Sequence, residues 1–69
     1  MPLSIAETGV TFMIKKILGK EDVRRFLSGL GFVAGSEVRV VSETAGSVIV
    51  QVKDSRVAVS REMAQKIIV

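Results

Sequence analysis

The sequence predicts a mainly β fold, a small barrel of about five short strands with one short α-helix after the first strand. Three observations carry this expectation. Apolar and polar residues alternate over 37–43, 47–53 and 56–59, the period of strands with one buried face. The segment 20–30 switches to a helical period. All of this fits into 69 residues, which suits one partly open barrel better than a sandwich. Closure also protects the edges of such valine-rich strands.

The elements follow in order. Residues Gly9–Leu18, GVTFMIKKIL, are rich in β-branched and aromatic side chains and read as a strand. Val10, Phe12 and Ile14 share a face, but Ile17 falls out of step. A bulge or bend near Lys15 and Lys16 is needed to return Ile17 to the core, and Gly19 ends the strand. Over Lys20–Leu30, Val23, Phe26, Leu27 and Leu30 stand at i, i+3, i+4 and i+7, one stripe of a short helix. Glu21 and Asp22 occupy its first turn, where the positive end of the helix dipole favours carboxylates. Arg24 and Arg25 face solvent, while Phe26 joins Phe12 in the core.

The period then returns to two. EVRVVSE sets Val38 and Val40 against Glu37 and Arg39, and SVIVQVK sets Val48, Val50 and Val52 against Ile49, Gln51 and Lys53. TAGS, with Gly46, is the hairpin loop between them. Asp54 and Ser55 turn the chain into RVAV, with Val57 and Val59 inward. SREMAQK offers one helical turn with Ser60 as its N-cap, and KIIV closes the chain as a last short strand. The fold expected is a single SH3-like barrel domain spanning 1–69.

Gly29–Ala34 spells G-x-G-x-x-A, the dinucleotide fingerprint. That motif requires a strand before it and a helix after it, so that phosphate meets a helix N-terminus. Here the helix comes first, and its C-terminal end repels an anion. The glycines are therefore expected to turn the chain. With Leu30 as C-cap, Gly31 is the left-handed C′ residue, and Phe32 meets Leu27 across a Schellman cap. Gly35 starts the turn into the next strand, and Gly9, Gly19 and Gly46 are further turn positions. Gly29 sits in the last helical turn at a cost of up to about 1 kcal/mol, which a close approach of another group would explain.

Composition removes several function classes. The chain has no Cys and no His, so disulfides, thiolate metal sites and imidazole chemistry are absent. The carboxylates Glu7, Glu21, Asp22, Glu37, Glu43, Asp54 and Glu62 show no metal-ligand spacing beyond the Glu21–Asp22 pair. Ser60 has no histidine to activate it, so no enzyme and no cofactor is expected. Net charge is +3, with basic residues scattered among acidic ones. Three Phe are the whole aromatic supply, a poor footprint for nucleic acid, and none is expected as partner. No signal-peptide pattern and no membrane span is present, which gives the cytoplasm as the expected location.

LGFVAGSEVRVVSE resembles the LG-x-x-x-G-x-x-V-x-V core of the ferrous iron transport protein A (FeoA) family. MPLSIAETG resembles that family's apolar lead-in to a Gly, and MIKKILGKEDVRRFLSGLGF its first strand, Gly and helix. RVAVSREMAQKIIV resembles its ending. The chain looks like a shorter branch, with TAGS where better-known members carry a loop of the PLGDP type, and Phe26 where an Arg often precedes the helix Leu. The resemblance implies an SH3-like barrel with an accessory role in ferrous iron uptake and iron homeostasis, with metal-ion binding attached at family level. It also implies a partner, the cytosolic GTPase domain of the ferrous iron permease, with contact to the membrane only through that partner. Similar folds serve as the C-terminal barrel of metal-dependent repressors, which together with a nucleic-acid-binding barrel is the competing reading.

With no catalytic constellation, binding is what remains. Met13, Phe32, Val33, Val41 and Ile49 are the apolar residues that the strand phases leave off the core or at its margin. Arg24, Arg25 and Arg39 are the cations expected to meet an acidic partner. These eight are the expected partner-binding residues. A homo-oligomer through an open edge at Ile67, Ile68 and Val69 is also allowed.

Overall fold

The computed structural model describes all residues 1–69. A 3-10 turn at Leu3–Ile5 precedes strands β1 (Thr11–Met13) and β2 (Lys16–Ile17), helix α1 (Glu21–Gly29) and strands β3 (Glu37–Glu43), β4 (Ser47–Val52) and β5 (Ser55–Ser60). A one-turn helix α2 (Arg61–Ala64) and strand β6 (Ile67–Ile68) complete the chain. One antiparallel sheet has the order β1-β3-β4-β5, and a second pairs β2 with β6. The fold is mainly β, with six strands instead of the five expected, because the first predicted strand is two.

The division falls at the bend that Ile17 required. The Ile14 N–H donates to Ser36 O at 2.9 Å, while the Lys15 N–H donates to Ile68 O at 2.7 Å. The chain thus leaves one sheet and enters the other between adjacent residues. Ile17 is thereby returned to the core margin, where it is half-buried.

The core lies between the sheets and is wholly apolar. The large sheet contributes Val38, Val40, Val48, Val50, Val52 and Val59. Leu3, Ile14, Leu27, Phe32, Ala64 and Ile67 close it from the turns, the helices and the small sheet. Each such Val, Leu, Ile or Phe contributes roughly 1.5–3 kcal/mol of burial free energy. No buried side-chain polar atom lacks a hydrogen-bond partner.

The cap of α1 forms as expected. The Phe32 N–H donates to Leu27 O at 3.0 Å and the Gly31 N–H to Ser28 O at 3.0 Å, the paired bonds of a Schellman motif. Gly31 has φ 104°, and Leu27 and Phe32 are both fully buried. Gly9, Gly19 and Gly35 also have left-handed φ, while Gly46 does not. The close approach expected at Gly29 is absent, since a Cβ there would meet nothing within 4 Å.

Three expectations are corrected. Phe26 is not a core residue: it is 55% exposed. Successive helical residues are about 100° apart, so with Leu27 aimed at the core its neighbour Phe26 is swung to the flank. Phe32, delivered by the Gly31 turn, is the core aromatic instead, with Phe12 half-buried. The β4–β5 turn is Lys53–Asp54, not Asp54–Ser55, because Val52 and Ser55 lie directly opposite each other. Lys53 takes φ 55° to make it. The C-terminal edge is not open. Ile68 pairs with Lys16 on one side and bridges Pro2 on the other, and the Val69 N–H donates to Met1 O at 2.8 Å.

Candidate partner-binding face

Strand alternation gives the large sheet two different faces. The inner face carries the core valines. The outer face carries Thr11 and Met13 from β1, Glu37 and Arg39 from β3, Ile49 and Gln51 from β4, and Arg56 and Ala58 from β5. Register aligns Thr11, Arg39, Gln51 and Arg56 in one row across all four strands. Neighbours in such a row stand about 5 Å apart. Beside the row, β3 shifts register between Val40 and Ser42. Val41 is the extra residue, and Val41 with Ser42 faces Ile49. The face therefore has a polar row and, next to it, an apolar strip of Val41, Ile49 and Ala58.

Thr11, Glu37, Val38, Arg39, Gln51 and Lys53 line a shallow groove of about 220 Å³ on this side. The Arg39 Nη2 donates to Gln51 Oε1 at 3.0 Å, which orients the guanidinium without neutralising it. The chain has two ion pairs, Arg25–Glu21 and Arg61–Glu43, and neither involves Arg39, Lys53 or Arg56. Three uncompensated cations thus stand on one face beside a single carboxylate, Glu37. That field favours an acidic partner surface. No aromatic ring shares the face, since Phe12 and Phe32 point into the core and Phe26 is on α1. A stacking platform for bases is therefore missing.

Four of the expected partner-binding residues share this face: Arg39, Val41 and Ile49 are neighbours, while Met13 lies beside Glu37 on the far side of the polar row. Met13, 61% exposed, lies at the end of β1 with Arg39, Val41 and Ile49 on the same side of the sheet. Phe32 does not join them: it is fully buried, because the Schellman cap turns it inward. Val33 is half-buried in the loop before β3. Arg24 and Arg25 lie on α1, outside the sheet, and Arg25 is paired to Glu21 at 2.9 Å. Gln51, Lys53 and Arg56 were missed, although Gln51 and Lys53 share the phase of Ile49 in the sequence. Arg61 was missed too. It donates to Thr44 O at 2.8 Å and Ala45 O at 3.2 Å, tying the β3–β4 loop to the start of α2. Nothing in the sequence signals that contact, which spans 16 or 17 residues.

The seven carboxylates do not gather into any group of three. No helix is long and apolar enough to cross a membrane.

Comparison with known proteins places this architecture. A family model described as the FeoA domain matches residues 1–69. A relative from Methanocaldococcus jannaschii, described as a candidate Fe(2+) transport protein A, is 34% identical over 68 residues, covering 99% of this chain and 83% of its own. The crystal structure of an iron uptake regulatory protein (FeoA) superposes with a TM-score of 0.90 at 25% identity, covering 97% of this chain and 91% of that one. Zinc-complexed FeoA of Stenotrophomonas maltophilia, described as a procaryotic SH3 domain protein, superposes with a TM-score of 0.85 at 30% identity, covering 99% and 87%. The match runs the full length of the chain at the level of sequence pattern, element order and fold, and the chain belongs to the FeoA family.

Proposed function

We propose that this domain is a non-catalytic, cytosolic accessory protein of ferrous iron uptake. It binds the cytosolic GTPase domain of the ferrous iron permease and modulates or assembles the transporter by protein–protein contact. The observation that carries this reading is the outer sheet face. Half-buried Val41 and Ile49 and exposed Met13 lie there with Arg39, Lys53 and Arg56, and none of the three cations is in an ion pair. An apolar strip with a cationic margin fits a partner that offers apolar side chains ringed by carboxylates. Family membership supplies the iron-transport context.

The test is titration calorimetry of the domain against the permease GTPase domain in apo, GDP and GTP-analogue states. Saturable binding is expected, weakened at least about tenfold by Ile49→Asp or Arg39→Glu with the circular dichroism spectrum unchanged. Arg24→Glu, on α1, is expected to leave binding intact. No heat in any nucleotide state would remove the GTPase domain as the partner. It would return attention to a barrel module of a metal-dependent regulator.

A further inference from the structure

We infer that two copies of this chain pair through the free edge of β5, joining their large sheets into one continuous sheet. This inference goes beyond the partner reading and does not depend on it.

The argument starts from backbone hydrogen bonds. Val52 and Ser55 are directly opposed with only Lys53 and Asp54 between them. Such a pair must exchange both its hydrogen bonds, since the two loop residues are adjacent and cannot bond to each other across the strands. Alternation along an antiparallel ladder then fixes the rest. Ser55, Val57 and Val59 direct their N–H and C=O groups to β4. Arg56, Ala58 and Ser60 direct theirs away from it. β5 is the last strand of its sheet. The N–H and C=O groups of Arg56 and Ala58 find no partner elsewhere in the chain.

Free edges are normally blunted by brevity, Pro, Lys, a bulge or a covering segment. β1, the opposite edge, is three residues long. The C-terminal strand is covered on both sides. β5 is the least protected edge: six residues, no Pro or Gly, an unbroken register with β4, and Arg56 as its one charged side chain. Val57 points to the core side yet stays half-buried, as a strand does when its outer neighbour is missing.

A second copy fits this edge better than an unrelated strand, because β5 complements itself. A two-fold axis at Ala58 sets Ala58 against its own copy, Val57 against Val59 and Arg56 against Ser60. The outward-directed groups of Arg56 and Ala58 then lie in hydrogen-bonded positions, apolar residues meet apolar ones on the inner side, and Arg56 lies opposite Ser60, the N-cap of α2. The two Arg56 side chains are held four residues apart along the strands, about 13 Å, beyond the screening length at physiological salt. An interface of six residues per copy is small, so the dimer is weak, with Kd of about 0.1–1 mM.

The experiment is amide hydrogen exchange by NMR from about 20 μM to about 1 mM, with sedimentation velocity on the same samples. The Arg56 and Ala58 amides are expected to exchange about two- to fourfold more slowly at the higher concentration, the ratio of free protomer that this Kd gives, while those of Val57 and Val59 stay unchanged. Ala58→Pro, which removes an outward N–H only, abolishes both the protection and the dimer. If that variant loses its fold, Ala58→Asp takes its place: it keeps the backbone groups and sets like charges directly opposed. A monomer throughout the range overturns the inference. So does a dimer that forms without protecting Arg56 and Ala58.

Discussion

Gly31 and Gly29 are two residues apart and should respond to alanine with opposite signs. Gly31 holds φ 104°, outside the narrow left-handed well that an L-residue tolerates. Alanine in left-handed backbone costs about 1–2 kcal/mol, and a φ beyond the well adds to this. Its Cβ would lie 3.4 Å from Val52 Cγ2, an ordinary contact that adds little repulsion. Loss of glycine's freedom in the unfolded chain returns about 0.4–1 kcal/mol. The net effect of Gly31→Ala is a destabilisation of about 1–2 kcal/mol. Gly29 lies inside α1 with nothing within 4 Å of a built Cβ. Gly29→Ala should therefore stabilise by about 0.5–1 kcal/mol. The two variants should bracket the parent by about 1.5–3 kcal/mol, or roughly 6–24 °C in Tm for a domain of this size. Urea unfolding followed by far-UV circular dichroism is the assay, since the chain has no Trp or Tyr to report by fluorescence. Equal shifts in the same direction would refute the assignment of Gly31 as the turning residue and Gly29 as incidental.

Three further predictions concern the core, the flank of α1 and the second helix. Phe32→Ala should cost about 3–5 kcal/mol, most of what a domain of this length possesses, so the variant should be largely unfolded at room temperature by circular dichroism. Phe26→Ala, at an exposed flank of α1, should change the urea midpoint by no more than about 0.5 kcal/mol in free-energy terms. Ser60→Ala removes the hydroxyl that accepts the Met63 N–H at 3.1 Å, and should lower stability by about 1 kcal/mol in the same assay.

Much of the fold is legible because period and punctuation coincide. The strand 37–43 is read to the residue, since EVRVVSE is bounded by Gly35–Ser36 and by the TAGS loop. The Schellman cap is legible because Gly31 and the Leu27–Phe32 spacing point the same way. What local pattern cannot show is how far a core extends. Phe26 belongs to the helical stripe by spacing, yet a barrel this small takes one line of α1, and Leu27 occupies it. The division of the first strand is half legible. Ile17 reveals a bend, but only its pairing with Ile67 shows that the bend crosses between sheets. The site is readable to the same extent: Met13, Arg39 and Ile49 follow from phase alone. Their convergence with Lys53 and Arg56 depends on the cross-strand register, which a two-residue turn fixes and the sequence reading places one residue late.

The pair Val40–Val41 shows how one local irregularity shapes both core and face. Strict alternation from Val38 and Val40 would send Ser42 inward and Glu43 outward. A hydroxyl would then enter an apolar core at a cost of about 1–3 kcal/mol unless it found a partner. The register shift between Val40 and Ser42 resets the phase, so that Ser42 faces Ile49 outside and Glu43 comes opposite Val48. Glu43 falls at the strand end, where it is exposed and lies 3.9 Å from Arg61, so its inward phase buries no charge. The same shift leaves Val41 as the unpaired residue beside Ile49, and that pair is the apolar half of the candidate face. The bulge therefore admits Val41 to the face without disturbing the core phase on either side of it. Deleting Val41 would remove the bulge while leaving Ser42 opposite Ile49 and Glu43 opposite Val48, so the core phase is kept and the apolar strip alone loses a residue. Partner binding should fall in that variant with the core valines unmoved, and Ile49→Asp should lower binding in the same way.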